Sequence, residues 1–198
     1  VPVNSCKVLT VYDMIHERYP QWGSRWDQTV SLKRLAVQRA DHVICISDNT
    51  RNDLLEMYNV DPRKVSVVHL GAECPNFGEG KDLLSGAGRR PYLLYVGARS
   101  GHKNFMGLTK AFASSARLCA DFDVVSFGGG RFTSAELQEF ERLGLDSNRF
   151  CQWSGNDEVL SQLYFGASAL VYPSLYEGFG LPPLEAMGHH CPVISSNT

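Results

Sequence analysis

The stretch "YPSLYEGFGLPPLEAMG", residues 172–188, lies between two short apolar segments, "ALVYPS" and "PVISSN". The apolar segments are typical of buried strands, and Pro183 suits the first turn of a helix that begins after the glycines. A strand, a loop, a helix and a second strand in this order form a unit of a parallel sheet. The stretch therefore predicts an α/β fold, with a helix that starts at Pro183 and includes Met187.

Two carboxylates lie around this turn. Glu177 precedes the glycines, and Glu185 is expected in the first turn of the helix, where the helix dipole favours a negative charge. Carboxylates accept hydrogen bonds, so this pair suits the hydroxyl groups of a sugar or a ribose. The alternative is structural: Glu185 caps the helix and Glu177 is exposed to solvent.

The glycines of the turn favour the functional interpretation. Gly178 and Gly180 free the backbone, so that N–H groups can point at an anion or a hydroxyl group. The residues whose N–H groups are placed to do so are Phe179, Gly180 and Leu181.

The same alternation of strands and helices extends over the rest of the chain. Three strands are expected before residue 71, within "CKVLTVYD", "HVICIS" and "KVSVVHL", and five after residue 91, within "YLLYVG", "FDVVSFGGG", "RFCQWSG", "ALVYPS" and "PVISSN". Helical patterns separate them, and "NFMGLTKAFASSARL" is predicted to form one helix. Residues 71–91 are rich in Gly and Pro without a period, which indicates a linker or long loop between two α/β units.

Composition excludes several classes of protein. The net charge of −2 over 198 residues provides no basic field for nucleic acid. The six cysteines form no CxxC pair, which favours reduced thiols and a reducing compartment. The six histidines lack metal-ligand spacing, and no apolar run is long enough to span a membrane, so we expect neither a metal nor a membrane span.

Two further strand ends carry glycines or cations. In "YVGARSGHKNF", Arg99 and Lys103 flank a loop that leads into a helix, which suits a phosphate or diphosphate as well as it suits a solvated loop. The "FGGG" turn, residues 127–130, would allow close approach of a ligand to the backbone, or would be only a tight turn. Neither segment matches a dinucleotide fingerprint or a P-loop.

The end of the first strand, "VYDMIHERYP", contains Tyr12, Asp13 and His16. An aspartate at a strand end can bind substrate, although capping of the next turn is the commoner role.

Together these segments resemble the family 4 glycosyltransferases, retaining enzymes of the GT-B fold. "YPSLYEGFGLPPLEAMGHHCPVISSN" resembles their two-glutamate motif, "YLLYVGARSGHKNF" their phosphate-binding segment and "FGGG" their next glycine turn. "RADHVICISDNTRNDLLEMYNVDPRKVSVVHLGAE" resembles the end of their N-terminal domain, and "VYDMIHERYP" their acceptor-facing segment. Within the family the chain is most similar to bacterial mannosyltransferases that build O-antigen or other surface polysaccharides.

The resemblance implies a GT-B-like fold of two Rossmann-like parallel-sheet domains, both incomplete, so that the chain is a fragment. Residues 1–75 would be the later part of the N-terminal, acceptor-side domain, residues 76–91 a linker, and residues 92–198 most of the nucleotide-sugar-binding domain. The family's first Gly-rich loop and its last helices have no counterpart here.

The resemblance also assigns roles. Arg99 and Lys103 would bind the donor diphosphate, Glu185 the ribose, and Glu177, as the catalytic residue, the donor sugar near the reacting centre. The backbone of residues 178–181 would hold sugar and phosphate, and Tyr12 and Asp13 would face the acceptor. Many relatives have His at the position of Tyr12, which argues against a catalytic role there. No cofactor or metal is implied.

The expected function is therefore transfer of a hexose, mannose by likeness, from a nucleotide sugar such as GDP-mannose to a glycan or lipid-linked acceptor. The resemblance places this reaction in the cytoplasm or at the cytoplasmic face of the membrane, with peripheral membrane association through parts outside this chain. One alternative is a non-catalytic nucleotide-sugar-binding remnant or partner subunit that lacks the acceptor-side loop. A sugar-nucleotide epimerase is a third reading, for which the first unit shows no convincing acid and base residues.

Overall fold

The computed structural model describes residues 5–22, 27–72 and 90–197. They divide into two compact units: one is Val1–Gly71 together with Tyr176–Gly180, and the other is Ala72–Leu175 together with Leu181–Thr198. The predicted linker, residues 76–91, lies almost wholly outside the described residues, so the expected domain boundaries stay a prediction.

The first unit contains a three-stranded parallel sheet in the order β1-β2-β3. Its elements in chain order are β1 (Val8–Val11), α1 (Ile15–Arg18), α2 (Thr29–Arg39), β2 (His42–Cys45), α3 (Asp48–Met57) and β3 (Val65–Val67), with short 3₁₀ turns at Pro20–Trp22 and Pro62–Lys64. Ser47 caps α3, because its Oγ accepts a hydrogen bond from the Thr50 N–H group at 3.0 Å.

The second unit contains a five-stranded parallel sheet in the order β6-β5-β4-β7-β8. Its elements are β4 (Tyr92–Val96), α4 (Phe105–Ala113), α5 (Ala116–Asp121), β5 (Asp123–Phe127), α6 (Ser134–Arg142), β6 (Phe150–Trp153), α7 (Asp157–Gly166), β7 (Ala169–Tyr172), α8 (Leu181–Gly188) and β8 (Val193–Ser195), with 3₁₀ turns at Gly101–Lys103 and Ser147–Arg149. All eight strands of the described residues lie in the segments where the sequence predicts them.

The central strand β4 explains why this unit has helices on both faces. All five of its residues are buried, and they alternate between two apolar clusters. Leu94 packs in one cluster with residues of α7 and α8, and Tyr95 packs in the other with residues of α4 and α6. A parallel sheet is stable when both of its faces are covered in this way.

Two helix predictions were wrong in detail. The predicted single helix after β4 is broken into α4 and α5, because the Ser115 side chain caps the second helix by accepting from the Leu118 N–H group. Helix α8 begins at Leu181 rather than at Pro183. Glu185 is consequently its fifth residue and lies outside the first turn, so it is not a dipole-stabilised cap.

None of the helices in the described part of the chain is long and apolar enough to cross a membrane.

Candidate functional site

The carboxyl edge of the five-stranded sheet contains the position at which α/β folds bind ligands. Strand order reverses between β4 and β7: Phe105 of α4, which follows β4, packs on one face of the sheet, and Ala186 of α8, which follows β7, packs on the other. Ligands of open α/β sheets occupy the crevice at such a switch point. The segments after the two strands are joined directly, since Asn104 Nδ2 donates to the Pro173 carbonyl at 3.0 Å and the Leu175 N–H group donates to the His102 carbonyl at 2.8 Å.

Lys103 lies at this switch point and is half-buried. Its Nζ is 3.5 Å from the Tyr172 hydroxyl and 5.4 Å from the centroid of the Tyr172 ring. Tyr172 is the buried last residue of β7, so the ring holds the ammonium group over the end of that strand by a cation–π contact. The structure therefore places a positive charge at the edge where the sequence predicts a diphosphate.

The side chain of Arg99 is buried, and its guanidinium is hydrogen-bonded within the second unit. Its side chain is only 4% exposed. All five of its N–H donors are used within the second unit: Nε and one terminal nitrogen donate to the Glu136 carboxylate, and the remaining donors reach the carbonyls of Gly128, Gly130 and Arg131 at 2.9–3.1 Å. All donors of Arg99 are therefore used by described residues, and its contact with a diphosphate stays a prediction.

Glu136 completes this arrangement. It forms a capping box at the start of α6, where its carboxylate accepts from the N–H group of Thr133 at 2.7 Å and the Thr133 side chain accepts from the Glu136 N–H group. Burial raises the pKa of the Glu136 carboxyl, but the hydrogen bonds from Arg99 and Thr133 outweigh burial, and the pKa lies below its ordinary value. Glu136 is therefore the charged partner that allows the Arg99 guanidinium to be buried.

Arg99 supports the glycine turn, residues 128–130, that follows β5. Gly128, Gly129 and Gly130 have φ values of 87°, 68° and 72°, a region that favours glycine. A Cβ atom on Gly129 would lie 2.8 Å from a terminal nitrogen of Arg99, so the guanidinium fills the space beneath the turn. The N–H groups of Gly129 and Gly130 donate to no described residue, and both glycines are exposed. The turn thus has the carbonyls of Gly128 and Gly130 bound by Arg99, while the N–H group of Gly128 donates to the Trp153 carbonyl and those of Gly129 and Gly130 donate to no described residue.

Glu185 belongs to the same unit. It is partly buried on α8, and its Oε2 accepts a hydrogen bond from the hydroxyl of Tyr164, on α7, at 2.9 Å.

The glutamate loop, Tyr176–Gly180, groups with the first unit and is bonded to the start of α3. Ser47 Oγ donates to the Gly178 carbonyl at 2.5 Å, and Thr50 Oγ1 donates to the same carbonyl at 3.2 Å. The side chain of Asn49 donates to the Glu177 carbonyl at 3.1 Å. The carbonyl oxygens of this loop are therefore held by polar side chains, as in the glycine turn.

Steric contacts also fix the glutamate loop. A Cβ atom on Gly178 would overlap the carbonyl oxygen of Tyr12, so only glycine fits there. Gly180 has a φ of 102°, which again favours glycine. The N–H groups of residues 178–180 donate to no partner within the described ranges.

Tyr176 anchors the first residue of the glutamate loop in the first unit. It is buried, and its hydroxyl donates to Asp53 Oδ2 at 2.5 Å. Burial and the adjacent Asp53 carboxylate raise the pKa of the Tyr176 phenol, so the hydroxyl remains protonated and acts as the donor. Asp53 also pairs with Arg18, which balances its buried charge.

Tyr12 and Asp13 lie at a cleft of about 250 Å³ in the first unit, at the carboxyl end of β1. The Tyr12 side chain is 61% exposed. Asp13 Oδ1 accepts from the Ile15 N–H group at 3.1 Å, which is the capping role that the sequence left open, while Lys33 Nζ lies 3.9 Å from the same oxygen. Thr10, His16 and Thr29 are further polar residues of the lining.

The predicted residues are thus distributed between the two units. Arg99, Lys103, Leu181 and Glu185 belong to the second, and Tyr12, Asp13 and Glu177–Gly180 to the first. Sequence reasoning missed Tyr164 and Tyr172 as contacts of Glu185 and Lys103. It also missed the ion pair between Glu136 and Arg99, because the two residues are 37 positions apart in sequence. Within the described ranges, no three His, Cys, Asp or Glu residues are grouped as metal ligands.

Comparison with known proteins identifies the family. The profile of Glycosyl transferases group 1 matches residues 84–198, and that of Glycosyltransferase Family 4 matches residues 7–74. The chain belongs to the glycosyl transferases group 1 family, and the expected family and α/β fold class are confirmed.

Two curated relatives are mannosyltransferases. The chain is 31% identical over 200 residues to the O-antigen chain mannosyltransferase RfbU of Salmonella typhimurium, covering 100% of this chain and 54% of the relative. It is 30% identical to the serotype-specific mannosyltransferase WbdA of Escherichia coli, covering 94% of this chain and 25% of the relative. The chain therefore spans about half or less of the length of these relatives.

Solved structures show the same fold. Sucrose-phosphate synthase from Thermosynechococcus elongatus superposes with a TM-score of 0.77 at 24% identity, over 96% of this chain and 50% of that one. Anabaena Alr3699/HepE, solved with UDP and glucose, superposes with a TM-score of 0.76 at 20% identity, over 96% and 53%.

Proposed function

We propose that this protein is a glycosyltransferase that transfers a hexose from a nucleotide sugar to a glycan or lipid-linked acceptor, with retention of anomeric configuration. The relatives that are mannosyltransferases favour mannose as the sugar and GDP-mannose as the donor. The observation that carries the proposal is the glycine turn, residues 128–130: its carbonyls are bound by Arg99, and two of its N–H groups donate to no described residue.

In this proposal Lys103 and the glycine turn bind the donor diphosphate. The two N–H groups at residues 129–130 and the ammonium group of Lys103 belong to segments that follow adjacent strands, β5 and β4, at one edge of the sheet. Backbone N–H groups and a lysine charge are together a common way to bind phosphate. Arg99 contributes indirectly, because its guanidinium holds the carbonyls of the turn.

Glu185 is proposed to bind the ribose, since one of its carboxylate oxygens accepts from Tyr164 and the other accepts from no described residue. Glu177 is proposed to accept hydrogen bonds from hydroxyls of the donor sugar near the reacting centre. The N–H groups of Phe179, Gly180 and Leu181 would hold sugar and phosphate oxygens.

The proposed chemistry needs stabilisation of the leaving group. The bond between the anomeric carbon and the diphosphate oxygen breaks, and its electron pair leaves with the diphosphate. The acceptor hydroxyl attacks from the same face within the resulting ion pair, and its proton passes to the diphosphate. Lys103 and the N–H groups of the glycine turn would stabilise the charge that develops on the leaving oxygen, and this interaction strengthens in the transition state.

On the acceptor side we propose the cleft that Asp13 and Tyr12 line. The exposed ring of Tyr12 suits a face of a sugar ring, and the second carboxylate oxygen of Asp13 suits a sugar hydroxyl. We also propose that the reaction takes place in the cytoplasm, at the membrane face where a lipid-linked acceptor would be presented; no disulfide joins the five described cysteines, which fits a reducing compartment.

Calorimetric titration of the chain with GDP, UDP, ADP and GDP-mannose tests the proposal. We expect GDP and GDP-mannose to bind, and Lys103→Ala to weaken GDP binding by about tenfold, the effect of one charge-assisted contact. Lys110→Ala, which removes an exposed lysine on α4, is the matched control and should leave binding unchanged.

If none of the four nucleotides binds to a chain whose circular dichroism shows it folded, the donor site is wrong. Tight binding of UDP or ADP instead of GDP would retain the site and overturn the choice of GDP-mannose. Binding without transfer of mannose would favour the alternative, a non-catalytic nucleotide-sugar-binding module.

A further inference from the structure

Tyr164 places a buried hydroxyl group against Glu185. The residue is 1% exposed and lies in a hydrophobic cluster with Leu163 and Leu170. Its hydroxyl donates to Glu185 Oε2 at 2.9 Å. Burial, and then the negative charge of Glu185, raise the pKa of the Tyr164 phenol, so the proton remains on the tyrosine and the carboxylate is the acceptor.

This hydrogen bond fixes the direction of the carboxylate. A glutamate side chain has three rotatable bonds and loses conformational entropy when it is immobilised. A charge-assisted bond from a rigid, buried ring can supply that immobilisation before any ligand arrives. The second oxygen, Oε1, accepts from no residue in the described part of the chain and is left for a ligand.

The backbone of Glu185 is held by a second contact between the same two helices. His189 stacks on the Tyr164 ring, with centroids 5.3 Å apart and an interplanar angle of 27°. Its Nδ1 donates to the Glu185 carbonyl at 2.7 Å, and its Nε2 lies 2.6 Å from Ser161 Oγ. Tyr164 therefore holds the carboxylate of Glu185 while His189 holds its carbonyl.

We propose that Tyr164 is a positioning residue for ribose recognition: it orients Glu185 so that the free carboxylate oxygen accepts hydrogen bonds from the ribose hydroxyls of the donor nucleotide. The proposal rests on the donor site proposed above. It concerns selectivity between nucleotides with and without these hydroxyls, rather than affinity for the base or the diphosphate.

The test compares GDP with 2′,3′-dideoxy-GDP, which has the same base and diphosphate and lacks both hydroxyls. We expect the wild-type chain to prefer GDP by about tenfold or more, as for one charge-assisted hydrogen bond. Glu185→Ala should abolish this preference. Tyr164→Phe should lower it by about threefold or more while binding of dideoxy-GDP stays within about twofold of wild type.

Tyr92→Phe is the matched control. The Tyr92 hydroxyl is also buried in this cluster and donates to the Leu163 carbonyl of α7 at 2.7 Å, with no bond to Glu185. The variant Tyr92→Phe should destabilise the chain by about as much as Tyr164→Phe. It should leave the ratio of the dissociation constants for GDP and dideoxy-GDP unchanged. The double variant Tyr164→Phe with Glu185→Ala should show no loss of selectivity beyond that of Glu185→Ala.

If Tyr164→Phe weakens both nucleotides equally, the role of Tyr164 is structural and the inference is wrong, while the donor site stands. If Glu185→Ala retains the preference for GDP, Glu185 does not bind the ribose, and both this inference and that part of the proposed function fail.

Discussion

The glycine turn of the second unit and the glutamate loop of the first unit both have carbonyl oxygens bound by side chains, but the chemical groups that bind them differ. In both, the carbonyl oxygens of a glycine-containing segment are bound by side chains from elsewhere in the unit, and N–H groups donate to no described residue. The glycine turn is held by a buried guanidinium with a carboxylate partner. The glutamate loop is held by hydroxyl and amide groups at the start of α3.

This difference predicts unequal sensitivity to substitution. Loss of Arg99 leaves three carbonyls without a donor and Glu136 without its cation. Loss of Ser47 leaves Thr50 still bonded to the Gly178 carbonyl. A segment that presents N–H groups to a ligand must have its carbonyls satisfied elsewhere, and a single buried charge does this more strongly but with less redundancy than two hydroxyls.

The largest effect is expected from Arg99→Ala. Breaking a buried ion pair by removing one partner destabilises a fold by about 3–5 kcal/mol, because the remaining charge is uncompensated. Arg142→Ala is the matched control, since Arg142 pairs with Glu139 on the same helix as Glu136 but is exposed, and such pairs contribute about 0–1 kcal/mol. Urea unfolding measures the free energy of unfolding of each variant. Equal losses in the two variants would show that the Arg99 pair does not support the turn.

A somewhat smaller effect is expected from Gly178→Ala. The added Cβ would overlap the Tyr12 carbonyl, and backbone atoms can relieve that only by moving, which costs about 1–3 kcal/mol for overpacking. Gly71→Ala is the control, because a Cβ there meets nothing within 4 Å. A stable Gly178→Ala variant with unchanged binding of GDP-mannose would contradict the close approach of the glutamate loop to β1.

Ser47→Ala should have a moderate effect. It removes the cap of α3, which is worth about 1 kcal/mol, together with one bond to the Gly178 carbonyl. Ser115→Ala removes only a cap, that of α5, and should destabilise less. Comparison of the two urea midpoints isolates the bond to the loop; a larger loss for Ser115→Ala would show that this bond contributes nothing.

The smallest effect is a dependence on pH through Glu136. Its pKa is lowered from 4.5, so the charged carboxylate stabilises the fold above that pH, and this contribution disappears as the pH falls through the lowered pKa. The difference in unfolding midpoint between wild type and Glu136→Gln should therefore be full at about pH 7 and should shrink progressively as the pH is lowered below 4.5. A difference that stays constant over this range would mean that the charge of Glu136 is not responsible.

The sequence predicts the elements of the fold better than the contacts between distant residues. Every strand in the described part of the chain was predicted, because short apolar runs between turn residues are a local signal, as in "YLLYVG". The break between α4 and α5 was missed, since Ser114 and Ser115 fit an exposed helix position as well as a cap. The burial of Arg99 was not predicted, because it depends on Glu136, 37 residues away in sequence. Tyr164 has no local feature that marks it as a partner of Glu185, 21 residues away.

The central claim is that the N–H groups of the glycine turn bind the donor diphosphate. The most direct measurement is a ¹H–¹⁵N correlation spectrum of the chain labelled at its 18 glycines, titrated with GDP and, separately, with guanosine. The account predicts that the amide signals of Gly129 and Gly130 shift saturably with GDP and not with guanosine, which lacks the diphosphate. Binding of GDP that leaves these two signals unmoved, or equal shifts with guanosine, would contradict it.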